Sequence, residues 1–388
     1  MSFINPGKLF SYSTFGLFFG ATTYMAAPPS DAQLQALVNA AVTPVMQQQN
    51  IPGLTVALTV NGQAHYFNYG VATKDTGQKV SENTLFEIGS VSKTFTATLA
   101  GYAQANGKLD LATKASTLWP ALQGSAFDNI SVLQLGTYSA GGLPLQFPSE
   151  ADSPEQMLGY FQQWKPVYPA GSHRQYSNPS LGLFGYLAAN SLGQPFDQAM
   201  TQTLLPKLGL QHTYLSVPAS QMDLYAQGYD KHDKPVRVTS GALDSQAYGV
   251  KTSAVDMLRY VQANLKPETL EASLQKTIAN THTGYYTVGD MTQGLGWEMY
   301  RYPISLDRLL AGNSTEMAME AHKVQWLNPP RPQPADVLIN KTGSTGGFGT
   351  YVAFVPARDV GIVIMANKNF PIPERVKIAH KILSAVTD

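Results

Sequence analysis

Apolar residues recur at three- and four-residue spacing through Leu34, Leu37, Val38, Ala41, Val42, Val45 and Met46, the period of one helical face. Ser30 and Asp31 stand just before this stripe, an acceptor side chain and a negative charge where a helix begins, so the pattern predicts a helix opening there. Two strand-like runs follow at 54–60 and 64–71, with Asn61-Gly62 between them as a hairpin signal. The other end mirrors this arrangement. Residues 337–341, 350–355 and 360–366 read as strands, and Pro356 to Asp359 form a turn between the last two. A final helix is predicted from about Pro373, with Val376, Ala379, Ile382 and Leu383 on one face. Residues 86–274 are helix-rich and broken by glycine- and proline-containing loops, with no repeat and no low-complexity linker. The fold class expected is therefore mixed α/β (α+β). An antiparallel sheet (residues 27–85 and 275–388) is flanked by the terminal helices, and a largely helical region (86–274) is inserted into it. The cleft between the two parts is the expected place for a site.

Composition narrows the function. Apolar residues make up 44% of the 388-residue chain and charged residues only 13%, so a large core forms and disorder is excluded. The formal net charge is zero and no basic stretch is interleaved with aromatics, which argues against a nucleic-acid partner. Cysteine is absent, which removes thiol nucleophiles, thiolate metal sites and disulfides together. Lys8, the apolar run 9–25, and the small residues Ala26 and Ala27 read as an export signal over residues 1–26, removed after Ala26. The run is short and polar for a spanning helix, and no other segment is long and apolar enough to cross a bilayer. The expectation is a periplasmic protein without stable membrane association.

The commoner hydrolytic machinery is missing. There is no Gly-x-Ser-x-Gly elbow, and the seven histidines form no His-x-x-x-His pair. A serine with a lysine base remains. Ser90-Val91-Ser92-Lys93 precedes an apolar helical stripe (Phe95, Leu99, Tyr102, Ala103), so Lys93 falls one turn above Ser90 on the same face. The spacing alone is common, since Ser273-Leu274-Gln275-Lys276 repeats it. Two further elements join it. Tyr176-Ser177-Asn178 offers a phenol and an amide, a pattern that Tyr66-Phe67-Asn68 repeats inside a strand. Lys341-Thr342-Gly343 stands once, at the end of a predicted strand, and continues into a glycine-rich edge that lets a ligand lie against the backbone.

Ser-x-x-Lys, then Tyr-x-Asn, then Lys-Thr-Gly on a late strand is the ordered set of the serine β-lactamase and penicillin-binding protein superfamily. Tyr-Ser-Asn as the second motif resembles the class C β-lactamases, the cephalosporinase group. The resemblance extends to 86–90, 138–146, 178–185, 247–250, 293–298 and 366–369, spanning residues 30 to 388. It implies the β-lactamase/transpeptidase-like fold and hydrolysis of β-lactams, cephalosporins foremost, through a Ser90 acyl-enzyme. By the same resemblance, Lys93, Tyr176 and Lys341 are the titrating partners of Ser90. The backbone N–H groups of Ser90 and Ser344 hold the oxyanion. Gln146 and Asn178 hold the substrate's side-chain amide, and Tyr248 walls the acyl pocket. Lys341 and Thr342 face the substrate carboxylate, with Asn369 or Arg375 beside them, and Gly343 and Ser344 complete the substrate-binding edge. No cofactor or metal is implied, and a monomer is expected. Whether Tyr176, Lys93 or the substrate nitrogen activates the deacylating water stays open. Two residues depart from many relatives: Ile372, which cannot hydrogen-bond a carboxylate, and Asn340, where histidine is common. Two other functions fit the motifs: a D-alanyl-D-alanine carboxypeptidase or esterase, and a sensor module that acylates without turnover.

Overall fold

A computed structural model describes residues 1–3 and 29–387. The leader reading over residues 1–26 falls almost wholly outside the described residues. Among the described residues no helix is long and apolar enough to cross a membrane.

Helix α1 (Asp31–Gln48) opens as its pattern predicts, with a capping box in which Ser30 and Gln33 bond each other's backbone N–H. Strands β1 (Gly53–Val60) and β2 (Gln63–Gly70) follow. Asn61 and Gly62 both take positive φ (51° and 78°), the two-residue turn whose twist matches a hairpin. The middle of the chain contributes α2 (Ser92–Ala105), α3 (Asn178–Ser191), α4 (Ala254–Leu265) and α5 (Ala272–Thr281). Strands β3 (Gly284–Val288), β4 (Met291–Gln293), β5 (Glu298–Arg301), β6 (Gln325–Arg331), β7 (Val337–Ser344), β8 (Gly349–Val355) and β9 (Val360–Ala366) come next, and α6 (Ile372–Thr387) ends the chain. The strands form one antiparallel sheet in the order β6-β3-β4-β5-β7-β8-β9-β1-β2.

The central strands are covered on both faces, which is why β1 and β9 are buried throughout rather than alternating. Leu54, Val56 and Leu58 of β1 join Ile362 and Ile364 of β9 against Leu34 and Val38 of α1 and Val376 and Ile382 of α6. The opposite face packs Ala57, Val363 and Met365 on Met257, Leu258 and Val261 of α4. Helix α4 thus lies on the sheet, although it belongs to the helix-rich stretch 86–274. Helix α2 runs between α3 and α5 and is buried nearly all round. Its threonines tolerate this because their hydroxyls are bonded: Thr94 donates to Val91 O, Thr96 to Gln246 O and Thr98 to Thr94 O.

One detail of register makes the site. Strand β5 pairs with β7 only over 337–340, ending at Glu298 opposite Asn340. Residues 341–344 remain paired with β8 on one side and present their other edge to the cleft beside α2.

Candidate active site

Ser90 sits in a 3-10 turn, Gly89–Val91, one step before α2 starts at Ser92. This turn is pressed backbone to backbone on β7. A Cβ on Gly89, whose φ is +50°, would come within 2.4 Å of Ser344 O, and one on Gly343 within 2.0 Å of Ile88 O. Only glycine admits that approach. It brings the Ser90 hydroxyl to the open edge of β7.

Lys93 is fully buried one turn later. Its Nζ donates to Ser90 Oγ and to Ala247 O, each at 2.8 Å. Burial, with the Lys341 cation helping and Tyr176 opposing, brings its pKa down to about 8. The phenol of Tyr176 lies between the two amines, with Lys93 Nζ 5.1 Å and Lys341 Nζ 5.0 Å from the ring centroid. Burial alone raises a phenol, but here the two cations, Lys341 first, outweigh it and bring Tyr176 to about 8. The nearby Ser90 hydroxyl adds to this, although no aligned hydrogen bond joins them. The buried Tyr176 hydroxyl has no hydrogen-bond partner in the protein. Such an orphan facing a cleft is what a group that trades protons with substrate requires.

The cleft has a volume of about 470 Å³ and brings Ser90, Tyr176, Gln146, Asn178, Tyr248, Lys341, Thr342, Gly343 and Ser344 together. Ser177 caps α3 by accepting from Ser180 N–H at 3.0 Å, and Asn178 starts that helix with its side-chain oxygen buried and unpartnered. Tyr248 is pushed up to about 12, by burial and then by Asp152 and Asp244, so its hydroxyl stays protonated near neutrality. The segment that carries it is tied to α2: Lys93 bonds Ala247 O, Thr96 bonds Gln246 O, and Ser92 Oγ accepts from Val250 N–H. Ile372 lines the cleft as an apolar residue.

Asn369 is placed differently. Its side-chain oxygen accepts from Arg375 Nη2 at 2.7 Å, and it does not line the cleft. Arg375 is wholly buried under the 343–350 hairpin, where it donates to Gly343 O and Ser344 Oγ. Ser273 lies elsewhere, at the start of α5, bonded to Glu271. Among the described residues no histidine lines the cleft.

Sequence reasoning missed the polar floor. Arg174, 1% exposed, donates to Glu298 Oε1 at 2.8 Å, Gln293 Oε1 at 3.0 Å and Met317 O at 2.8 Å, with its guanidinium 5.7 Å from the Tyr176 ring. Burial is the largest influence and works against the Arg174 charge, but Glu298 together with Tyr286, Tyr138 and Tyr300 outweighs it and keeps the cation. The available signal was faint: a charge two residues before Tyr176, and a lone carboxylate in the apolar run around Trp297.

The family model described as Beta-lactamase matches residues 38–387. A Pseudomonas fluorescens protein named beta-lactamase is 65% identical over 353 residues, covering 91% of this chain and 99% of its own. A crystal structure described as a class C beta-lactamase in complex with cefoxitin superposes with a TM-score of 0.88 at 50% identity, over 91% of this chain and 99% of that one. A beta-lactamase/D-alanine carboxypeptidase from Pseudomonas syringae also gives 0.88 at 50% identity, over 90% and 98%.

Proposed function

We propose, proceeding from the fact that this chain belongs to the beta-lactamase family, that it is a class C serine hydrolase that opens the amide of β-lactams, cephalosporins foremost, through a Ser90 acyl-enzyme. The observation that carries the assignment is the 2.8 Å contact between Ser90 Oγ and a buried Lys93, with an unpartnered phenol set between two amines.

Ser90 Oγ attacks the lactam carbonyl carbon, and its proton passes to the Lys93–Tyr176 pair. With both groups near 8 rather than near 10, a share of molecules at neutral pH carries an amine or phenolate able to accept it. The two groups are coupled, so the pair takes up the proton rather than one member. The N–H groups of Ser90 and Ser344 face the developing oxyanion, a donor pair of which each member is worth about 3 kcal/mol in such sites. The C–N bond then breaks and the lactam nitrogen takes the proton from Tyr176. Water attacks the ester to release product and regenerate Ser90. Gln146 and Asn178 hold the substrate's side-chain amide, Tyr248 walls its acyl group, and Lys341 and Thr342 meet its carboxylate. Ile372 brings no donor to that carboxylate, and Asn369 is held by Arg375, so recognition rests on Lys341 and Thr342.

Sustained turnover of a chromogenic cephalosporin is the expected result. A burst of one equivalent followed by silence would instead mark a carboxypeptidase-like enzyme or a sensor that stays acylated. The basic, apolar and small-residue order from Lys8 to Ala27 supports export. Mass spectrometry of the periplasmic fraction is expected to find a chain beginning at Ala27, and a full-length cytosolic product would count against it.

A further inference from the structure

Glu87 stands three residues before Ser90 on the short strand Phe86–Glu87, and it is 1% exposed. Its carboxylate is fully engaged. Oε1 accepts from Tyr225 Oη at 2.6 Å and from Val238 N–H at 2.9 Å, and Oε2 accepts from Thr345 Oγ1 at 2.5 Å. Lys251, opposite Glu87 across the strand pair, and Arg237, stacked 4.0 Å from the Tyr225 ring, offset the buried charge. A carboxylate this deep persists only when its acceptor sites are filled in this way.

The partners it gathers are not random. Thr345 directly follows Ser344, and Val238 and Thr345 both line the cleft. The two oxyanion donors, Ser90 N–H and Ser344 N–H, lie on elements far apart in sequence, brought together where the 88–91 turn meets β7. Among the described residues that meeting is a close backbone contact with one long hydrogen bond beside it, Thr350 Oγ1 to Glu87 O at 3.5 Å, and van der Waals contact resists compression but not separation or sliding. Glu87 supplies the directional bond across the same seam, from just before one donor to just after the other.

We propose that Glu87 is a positioning residue for the oxyanion hole, clasping Thr345 so that the N–H groups of Ser90 and Ser344 converge on one point. The inference rests on the acyl-enzyme reading above. Donors held to fractions of an ångström stabilise a tetrahedral oxyanion, whereas a ground-state complex tolerates looser placement.

The test uses Thr345→Val, which keeps the side-chain shape and deletes the donor, Thr345→Ser, which restores it, and Glu87→Leu, which deletes the acceptor. Thr345→Val is expected to lower kcat/KM for a chromogenic cephalosporin by about 10- to 100-fold. It should weaken inhibition by a boronic acid, which forms a tetrahedral adduct on the serine, by a similar factor, with KM and thermal midpoint little changed. Thr345→Ser should recover most of both. Glu87→Leu, which has no polar atom to offer Thr345, should match Thr345→Val where it folds; where it does not fold, the two Thr345 variants decide. Unchanged boronate affinity in Thr345→Val overturns the proposal, as does failure of serine to rescue. So does a folded Glu87→Leu with wild-type kinetics, since Thr345 would then act on substrate directly. Absence of turnover in the unmodified chain is a different failure, that of the acyl-enzyme reading itself.

Discussion

Ser90→Ala is expected to remove hydrolysis of a chromogenic cephalosporin altogether, a fall on the order of 10⁶-fold in kcat, the scale of losing a covalent nucleophile in a serine hydrolase. The fold should survive. Ser90 lies in a short turn with only its hydroxyl facing Lys93, and Lys93 Nζ keeps its second bond to Ala247 O. The cost should stay within about 1 kcal/mol, read as a small shift in a denaturant or thermal melt. Ser273→Ala is the matched control. Its lysine stands at the same spacing, but its hydroxyl bonds the exposed Glu271 at the start of α5, a carboxylate it shares with Lys207, and it does not line the cleft. Residual turnover in Ser90→Ala, or loss of turnover in Ser273→Ala, would assign the chemistry to the wrong serine. Mass spectrometry adds a positional check. The transient adduct should map to the peptide carrying Ser90 and vanish in the variant.

The ends of the chain were legible because their patterns are local. The stripe of α1, the Asn61-Gly62 turn and the three late strands each declare themselves within twenty residues, and the structure places them within a few residues of the expected bounds. Strands β3 to β6 were not legible. Strands β4 and β5 have only three and four residues, too few to show a period, and β6 is an exposed edge containing Pro329 and Pro330. The site divides in the same way. Ser90 and Lys93 share a helix turn, and Tyr176 and Lys341 sit in short motifs, so spacing and family resemblance pointed to four residues that the structure brings together. Arg174 and Glu298 pair across 124 residues, and Glu87 reaches Thr345 across 258. Contacts of that kind leave no periodic trace in a single sequence. Asn369 shows the converse. Its position along the chain suits a substrate contact, but the buried Arg375, pulled to about 9 by desolvation, takes up its oxygen.

Arg174→Met is the second large effect expected, on stability and on the pH profile together. The variant leaves the Glu298 carboxylate without its cation in a site where the pair is 1% and 8% exposed, and breaking a buried pair from one side costs about 3–5 kcal/mol. Arg174→Met with Glu298→Gln should regain much of that loss, since removing both charges leaves no unpaired ion. The pH dependence follows from the same charges. Tyr176 is faced by Lys93 from α2, Lys341 from β7, Glu298 from β5, Tyr138 at 4.8 Å and Arg174 beside it. A carboxylate favours the cation at Lys93 and disfavours the phenolate at Tyr176, so it raises both values. Freed from Arg174, it should move the acid limb of kcat/KM to higher pH, and the double variant should move it back. Stability should vary in step. A buried carboxylate left without its cation carries the penalty only while it is ionised, so protonation in acid relieves it. The deficit of Arg174→Met relative to the parent should therefore be smallest in acid and largest near neutrality. Denaturant melts from pH 4 to pH 8 check this, and a deficit independent of pH would mean that Arg174 contributes packing rather than charge.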